Sequence, residues 1–421
     1  MATSSAQINP TVGILSIGDM GMGIARLLRH HDHTVYTVAT GRRQVYTPDS
    51  RPEDIELFAE LSPSQHTLDR IKSSQITALE SDEQLVAESD IILSIVPPRD
   101  AIATARRALE ACRSQAAIKR RSERKGTEAT SQAPSITYID LNAISPRSAK
   151  SIATMFSTPM SPASPRRLSI TRTFSFQRRE SEPELDPIYI NFLDGGIIGG
   201  PPAAKQDQTW KKPSIVISGP KYDHLLTPSF IELLNMKLLG PRIGQASALK
   251  SCFASLTKGM TALSILSFTT AHSCGVLKEL QEHLAEFSPK TLDLAEAGLV
   301  GMPPKAYRWV EEMRQINETF SEEGGFSAAV LSNGHNGHHT TPTQVATNGR
   351  NMAGVFEGVA EIYKLIADDT ILGEERVEKR KRGTNPEDVA ECVKEGIAKK
   401  KKKLADEGRD LEAAWRGSWG A

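Results

Sequence analysis

The chain has 421 residues, and its 51 basic side chains balance 51 acidic ones. That length allows two or three domains with full cores, and a net charge of zero excludes a general electrostatic pull toward nucleic acid or a membrane surface. Cys112, Cys252, Cys274 and Cys392 are scattered, with neither a disulfide framework nor a metal-ligand spacing, which fits a reducing interior.

The opening "MATSSAQINP" lacks the charged and then apolar pattern of a secretory signal. No run approaches the roughly 18 apolar residues of a membrane span. A soluble, cytoplasmic protein with no nucleic-acid or membrane partner is expected.

In chain order, short apolar runs rich in β-branched residues recur at 11–17, 33–38, 90–96, 136–141, 188–194 and 214–219. Helical patterns such as "MGIARLLRH" and "AIATARRALEAC" lie between several of them. Alternation of this kind predicts an α/β fold, a doubly wound parallel Rossmann sheet covered on both faces. After about residue 220 long helical patterns take over, which predicts an all-helical C-terminal domain. The expected organisation is a flexible start (1–10), a dinucleotide-binding domain (11–243), a helical domain (244–373) and a charged helical tail (374–421). Three polar stretches, 113–135, 157–187 and 332–350, are too poor in apolar residues to offset their ordering entropy and read as mobile surface insertions.

The segment "VGILSIGDMGMGIARLL" (12–28) carries a strand, a glycine turn and a helix start. A dinucleotide fingerprint, Gly-x-Gly-x-x-Gly, needs that context. Gly18 and Gly21 stand at its second and third glycines, and Ser16 stands at the first. Gly18 would let the backbone approach a diphosphate, and Gly21 would let helix and strand pack closely. Ser16 suits the turn only if it adopts the backbone angles of a glycine.

The Gly18, Asp19, Met20, Gly21 core resembles the N-terminal signature of the β-hydroxyacid dehydrogenases, the group of 3-hydroxyisobutyrate and 6-phosphogluconate dehydrogenases. Further segments follow in that family's order. "DIILSIVPP" resembles its strand ending in a proline, which implies that Val96 and Pro97 lie beside the nicotinamide. "IDLNAISP" resembles its Asp-x-Ser-Thr segment with Asn142 and Ala143 substituted, which implies a substrate contact from Asn142. "FLDGGIIGG" resembles its substrate loop, keeping Asp194, Gly199 and Gly200 but with Ile198 in place of Ser, and "GQASALK" resembles the start of the helix bearing its catalytic lysine, here Lys250. The Asn pair usual after that lysine is replaced by Phe253 and Ala254. The helical part, including "YRWVEEM", also looks like a phosphogluconate-dehydrogenase-like C-terminal domain of unassigned function.

The second strand, "TVYTV", ends without the carboxylate that selects NAD through the ribose hydroxyls. Ala39 occupies that place, and Thr40, Arg42 and Arg43 follow, groups suited to a 2′-phosphate. NADP (NADPH) is the expected cofactor, although a solvated basic loop would look the same.

Residues 245–271 form one uncharged pattern apart from Lys250 and Lys258. On a helix, Lys250, Phe253, Thr257 and Thr261 share a face that would line a substrate cleft. Burial and the nearby helix start would lower the pKa of Lys250 toward general acid/base work. A snorkelling or structurally paired lysine fits the pattern as well, and the family resemblance favours the catalytic role. Lys258 lies off that face and reads as structural. The helix's apolar surface, and the burial of its counterpart between subunits in related enzymes, imply a homodimer.

His335, His338 and His339 lack a fourth ligand, so no metal is expected. "KRKR" (379–382) and "KKKKK" (399–403) read as a solvated helical face. "RRLS" and "RRES" place Ser169 and Ser181 as sites for a protein kinase acting on 157–187, and Ser161 and Ser164 precede prolines there. The expected activity is hydride transfer between nicotinamide and an alcohol or carbonyl carbon of a small substrate. An imine reductase and a non-catalytic NADP-binding regulator are the alternatives.

Overall fold

A computed structural model of the chain describes residues 9–39, 41–44, 58–61, 65–124, 134–158, 186–220, 222, 225–327, 330, 354–377 and 379–407. Thr40, the kinase sites Ser161, Ser164, Ser169 and Ser181, and His335, His338 and His339 lie outside the described residues. The chain divides into two compact units. One comprises Met1–Asn142 and Pro146–Ser247; the other comprises Ala143–Ser145 and Ala248–Ala421. The division falls between Ser247 and Ala248, a few residues past the boundary expected at 243/244.

The β-branched runs form the strands that their burial requires. β1 (Val12–Leu15), β2 (Val35–Val38), β6 (Ile91–Ser94), β7 (Ser135–Asp140), β8 (Tyr189–Ile198) and β11 (Ser214–Ser218) lie in one sheet. β5 (Thr77–Leu79) and β12 (Met236–Gly240) complete it at the edges. The eight-stranded order is β12-β11-β8-β7-β6-β1-β2-β5, parallel except where β11 runs antiparallel to β8. The direction of winding reverses between β1 and β6, which opens a crevice at the C-terminal ends of those two strands. The short β3 (Gly41–Gln44) pairs with β4 (Phe58–Leu61) in a separate ribbon, and β9 (Ala203–Ala204) with β10 (Trp210–Lys211).

Helices α1 (Asp19–His30), α2 (Gln65–Ser73), α3 (Asp82–Glu88), α4 (Ala101–Cys112), α5 (Gln115–Arg124), α6 (Pro146–Ser157) and α7 (Pro228–Leu233) belong to this unit. α1 turns Ile24, Ala25, Leu27 and Leu28 inward, the spacing of one helix face, onto Val12, Ile14 and Val35.

α5 corrects the expectation of a mobile insertion at 113–135 for its first part, Gln115–Arg124, while residues 125–133 lie outside the described residues. Ala117 and Ile118 are buried there, and Arg121 is wholly buried. Its guanidinium donates to the carbonyls of Val86 (2.7 Å), Ser89 (2.5 Å) and Ser135 (2.5 Å), so it closes the C-terminal end of α3. Composition alone treats such an arginine as surface, whereas here carbonyl acceptors offset its desolvation.

Among the described residues the second unit is all helical: most of α8 (Gln245–Ser273), then α9 (Leu277–Phe287), α10 (Pro289–Gly301), α11 (Ala306–Glu322), α12 (Val355–Asp369) and α13 (Pro386–Asp406). Phe268, Leu299, Met313, Ile316, Tyr363 and Ile366 form its core. α13 is more than a charged tail, since Val389, Cys392 and Val393 sit in that core. Its start is fixed by Asn385, whose side chain accepts from the Asp388 amide at 2.8 Å, followed by Pro386. The basic run at 379–382 is partly consumed inside the unit. Arg380 donates to the Val300 carbonyl, and Arg382 to Asp388 at 2.7 Å, while Lys401–Lys403 stay exposed as expected.

No helix among the described residues is long and apolar enough to cross a membrane.

Candidate functional site

The turn after β1 has the backbone that the sequence reading required. Ser16 sits at φ +77°, the left-handed region where a fingerprint carries glycine. For a serine that costs about 1–2 kcal/mol, so the turn is held against local preference by its surroundings. Gly21 explains the other end: a Cβ there would lie 2.3 Å from the Ser16 carbonyl oxygen, so only glycine lets α1 start this close to β1. Above Gly18 there is open space, with nothing within 4 Å of a Cβ built on it. Gly18 also heads α1 without a side-chain cap, which leaves the first amides of the helix for an anion. Met20 is half-buried against the core.

Asp19 at the head of α1 is engaged by Arg70 of α2, whose guanidinium pairs with its carboxylate and donates to the Ile17 carbonyl at 3.3 Å. Arg70 was not anticipated. It stands 51 residues from Asp19 and in sequence looks like any polar residue on an amphipathic helix.

After β2, Ala39 packs against the core, and the five residues that follow it in sequence include no acidic one. Arg42 and Arg43 lie in β3, opposite Glu60 and Ala59 of β4.

At the end of β6, the Val96 amide donates to Asn142 Oδ1 at 2.7 Å, and Asn142 Nδ2 donates to Ser94 Oγ at 3.0 Å. Asn142 is 2% exposed. This corrects the expectation that it reaches a substrate, because both ends of its amide are used, one on the Val96 amide and the other on Ser94 Oγ. Gly199 and Gly200 follow β8 on the surface; Gly199 has φ +116°, and a Cβ on Gly200 would meet nothing within 4 Å. The adjoining Pro202 lies against Gly23 of α1.

Behind these loops runs a buried polar row. Ser94, Asp140, Asp194 and Ser218 are register neighbours across β6, β7, β8 and β11. Asp194 accepts from Ser218 Oγ (2.9 Å), from the amides of Gly244 (2.9 Å), Ala246 (3.1 Å) and Ser247 (3.2 Å), and from Ser247 Oγ (2.5 Å). A strand residue thus caps the N-terminus of α8 and fixes where it begins. Burial pushes the Asp194 carboxyl up, and the bonds from Ser247, Ser218 and Gly244 oppose the rise. Asp140 is poorer in donors: Oδ1 accepts from the Asn142 amide at 2.9 Å, and Oδ2 has no partner. Burial raises its pKa to about 7, with the Asp194 charge adding to the rise.

In the helical unit, Lys250 is half-buried on α8. Burial lowers its pKa, Glu312 of α11 opposes the fall, and Arg308 adds to it. Lys258 pairs with Glu312 and lies 4.9 Å from the centre of the Trp309 ring. This is the paired, structural surrounding expected of it, and burial brings its pKa to about 8. Glu312 Oε1 is buried without a partner. The expected common face of α8 is split: Thr261 is buried at 5% exposure, whereas Phe253 (44%) and Thr257 are exposed. Among the described residues no group of three or more His, Cys, Asp or Glu is placed to hold a metal ion.

Residues 271–366 match the model of a domain of unknown function, DUF1932. No curated protein matches the chain. Among solved structures, the chain is similar to a conserved protein of unknown function described as structurally similar to 3-hydroxyacid dehydrogenases (19% identity, TM-score 0.44, 85% of this chain and 97% of that one). It is similar also to 3-hydroxyisobutyrate dehydrogenase from Mycobacterium tuberculosis (13% identity, TM-score 0.45, 84% and 99%). An imine reductase from Aspergillus terreus, in complex with NADPH4 and dibenz[c,e]azepine, matches at 15% identity (TM-score 0.40, 77% and 90%).

Proposed function

We propose that the protein is an NADP-dependent oxidoreductase that moves a hydride between the nicotinamide and an alcohol or carbonyl carbon of a small, hydroxyacid-like substrate. The observation that carries the reading is the turn at the switch point of the sheet. Its strained Ser16, its sterically required Gly21 and the uncapped start of α1 together suit a dinucleotide diphosphate. A bound nicotinamide supplies the hydride. Val96, whose amide is held by Asn142, and Pro97 after it form the crevice wall on the β6 side. The backbone of Gly199 and Gly200 approaches the substrate's anionic end, Phe253 and Thr257 contact the substrate from α8, and Lys250 exchanges the proton. Because Asn142 is withdrawn from the surface, the pocket loses a polar side chain, and this favours reduction of carbon–nitrogen bonds as the second reading.

In sequence, Thr40, Arg42 and Arg43 follow β2 with no acidic residue before Asp49, so NADPH is expected to bind more tightly than NADH. Titration of both by fluorescence checks this, and equal or reversed affinities refute it. Replacing Arg42 and Arg43 by Ala is expected to weaken NADPH far more than NADH. A turnover screen over hydroxyacids, ketones and cyclic imines separates the two chemistries. NADPH binding without turnover of any class would favour a regulatory protein.

The proposal includes a homodimer. Leu249, Phe253, Leu256, Leu263 and Leu266 expose 41%, 44%, 77%, 58% and 49% of their surface along α8. The stripe continues into an open apolar groove of about 660 Å³ lined by Leu266, Ala271, Val276 and Leu280. Contiguous apolar surface of this kind is what an interface covers. Light scattering at micromolar concentration should give twice the chain mass; a monomer refutes the dimer.

A further inference from the structure

The acidic residue at the head of α1 creates an electrostatic problem that the structure solves. Asp19 is the first residue of that helix, one position past Gly18. A carboxylate there is favourable for the bare helix, since it meets the positive end of the macrodipole. A dinucleotide diphosphate needs the same pole, so an unscreened Asp19 would repel the ligand that the turn is shaped to take. Arg70 removes that conflict. Its guanidinium pairs with the Asp19 carboxylate and donates to the Ile17 carbonyl at 3.3 Å, so it grips the turn on both sides of Gly18. α2 is itself anchored: Ile71 is in the core, and Arg26 of α1 donates to Ser73 Oγ at 3.0 Å. The Arg70 side chain is 19% exposed, so the cation is partly withdrawn from water and its field is only partly screened.

We propose that Arg70 is a cofactor-positioning residue, which neutralises Asp19 and thereby keeps the head of α1 receptive to the diphosphate. The inference rests on the dinucleotide reading of the turn. It makes Arg70 and Asp19 a charge pair with opposite effects on nucleotide affinity, a pattern that simple bracing of the turn would not produce.

The test is NADPH binding by the protein and three variants, Arg70→Gln, Asp19→Asn and the double Asp19→Asn/Arg70→Gln, with melting temperatures measured beside it. One uncancelled unit charge about 6 Å from a phosphate, in a medium between protein and water, corresponds to roughly tenfold in affinity. Arg70→Gln is therefore expected to bind NADPH about tenfold more weakly than the unaltered protein. Asp19→Asn is expected to bind more tightly, and the double variant to return near the original affinity. The tenfold gap should shrink in 1 M salt, where screening acts over about 3 Å. If the double variant binds as weakly as Arg70→Gln, or Asp19→Asn also weakens binding, the charge role is overturned in favour of bracing. Should Arg70→Gln fail to fold, Asp19→Asn and the double variant still decide the question. Failure of the unaltered protein to bind either NADPH or NADH would instead overturn the dinucleotide reading itself.

Discussion

Replacing Lys250 by Ala is expected to lower turnover by roughly 10²–10⁴, the range of a lost general acid or base, while NADPH affinity stays nearly constant. Lys250 belongs to the helical unit and the fingerprint turn to the other, which is why the two readouts should separate. Its proton affinity is set by burial, which lowers it, against Glu312, which raises it. In the reductive direction the lysine must hold a proton, so the rate should fall as pH rises through its pKa. Glu312→Gln removes the opposing negative charge, lowers that pKa further and should move the fall to lower pH. The same change strips Lys258 of its partner, so Lys258→Met/Glu312→Gln, which removes both charges, is the control for folding. Lys250→Arg should not restore the rate, since a guanidinium keeps its proton near neutrality. The measurement is rate against pH, beside melting temperature, with the substrate found in the turnover screen. A stable and fully active Lys250→Ala protein would remove the lysine from the mechanism. A destabilised Ala variant with an active Arg variant would make it a structural partner.

The parts of this architecture legible in sequence are those coded by local periodicity. β1, β2, β6, β7, β8 and β11 lie where apolar β-branched runs predict them, and α8 extends only two residues past its expected end. The edge strands β5 and β12 were missed. "TAL" is too short to show a period, and "MKLLG" looks like the end of the helix that precedes it. What the sequence conceals is whatever depends on register or on distant contact. Asn142 looks like a substrate ligand until its amide is seen to be spent on Val96 and Ser94. Arg121 looks like surface until backbone carbonyls surround it. Ser16 is the informative intermediate case. Its place in the motif marks where a glycine-like angle is needed, and only the folded backbone shows a serine adopting it against its own preference, with its carbonyl oxygen close over Gly21.

The buried row across the sheet leads to the second large expected effect. Asp140 and Asp194 are adjacent in register, and two carboxylates so placed resist ionising together. Asp194 has the donors and the head of α8, so it takes the charge, while Asp140, with Oδ2 unpartnered, keeps a proton to about pH 7. In the unfolded chain the same carboxyl gives its proton up near its ordinary value of 3.8. Between those two values the folded state binds the extra proton, so stability falls as pH rises through the window and is level on either side. The fall is the cost of ionising a carboxyl that burial and the Asp194 charge hold above its ordinary range. Asp140→Asn mimics the protonated side chain and cannot ionise. It is therefore expected to unfold at a urea midpoint similar to the unaltered protein near pH 4.5 and at a clearly higher one at pH 8, as its own curve lacks this fall. Parallel pH dependence in the two proteins would mean that Asp140 is ionised in the native sheet. The row would then have to hold two negative charges side by side, with the donors around Asp194 serving both.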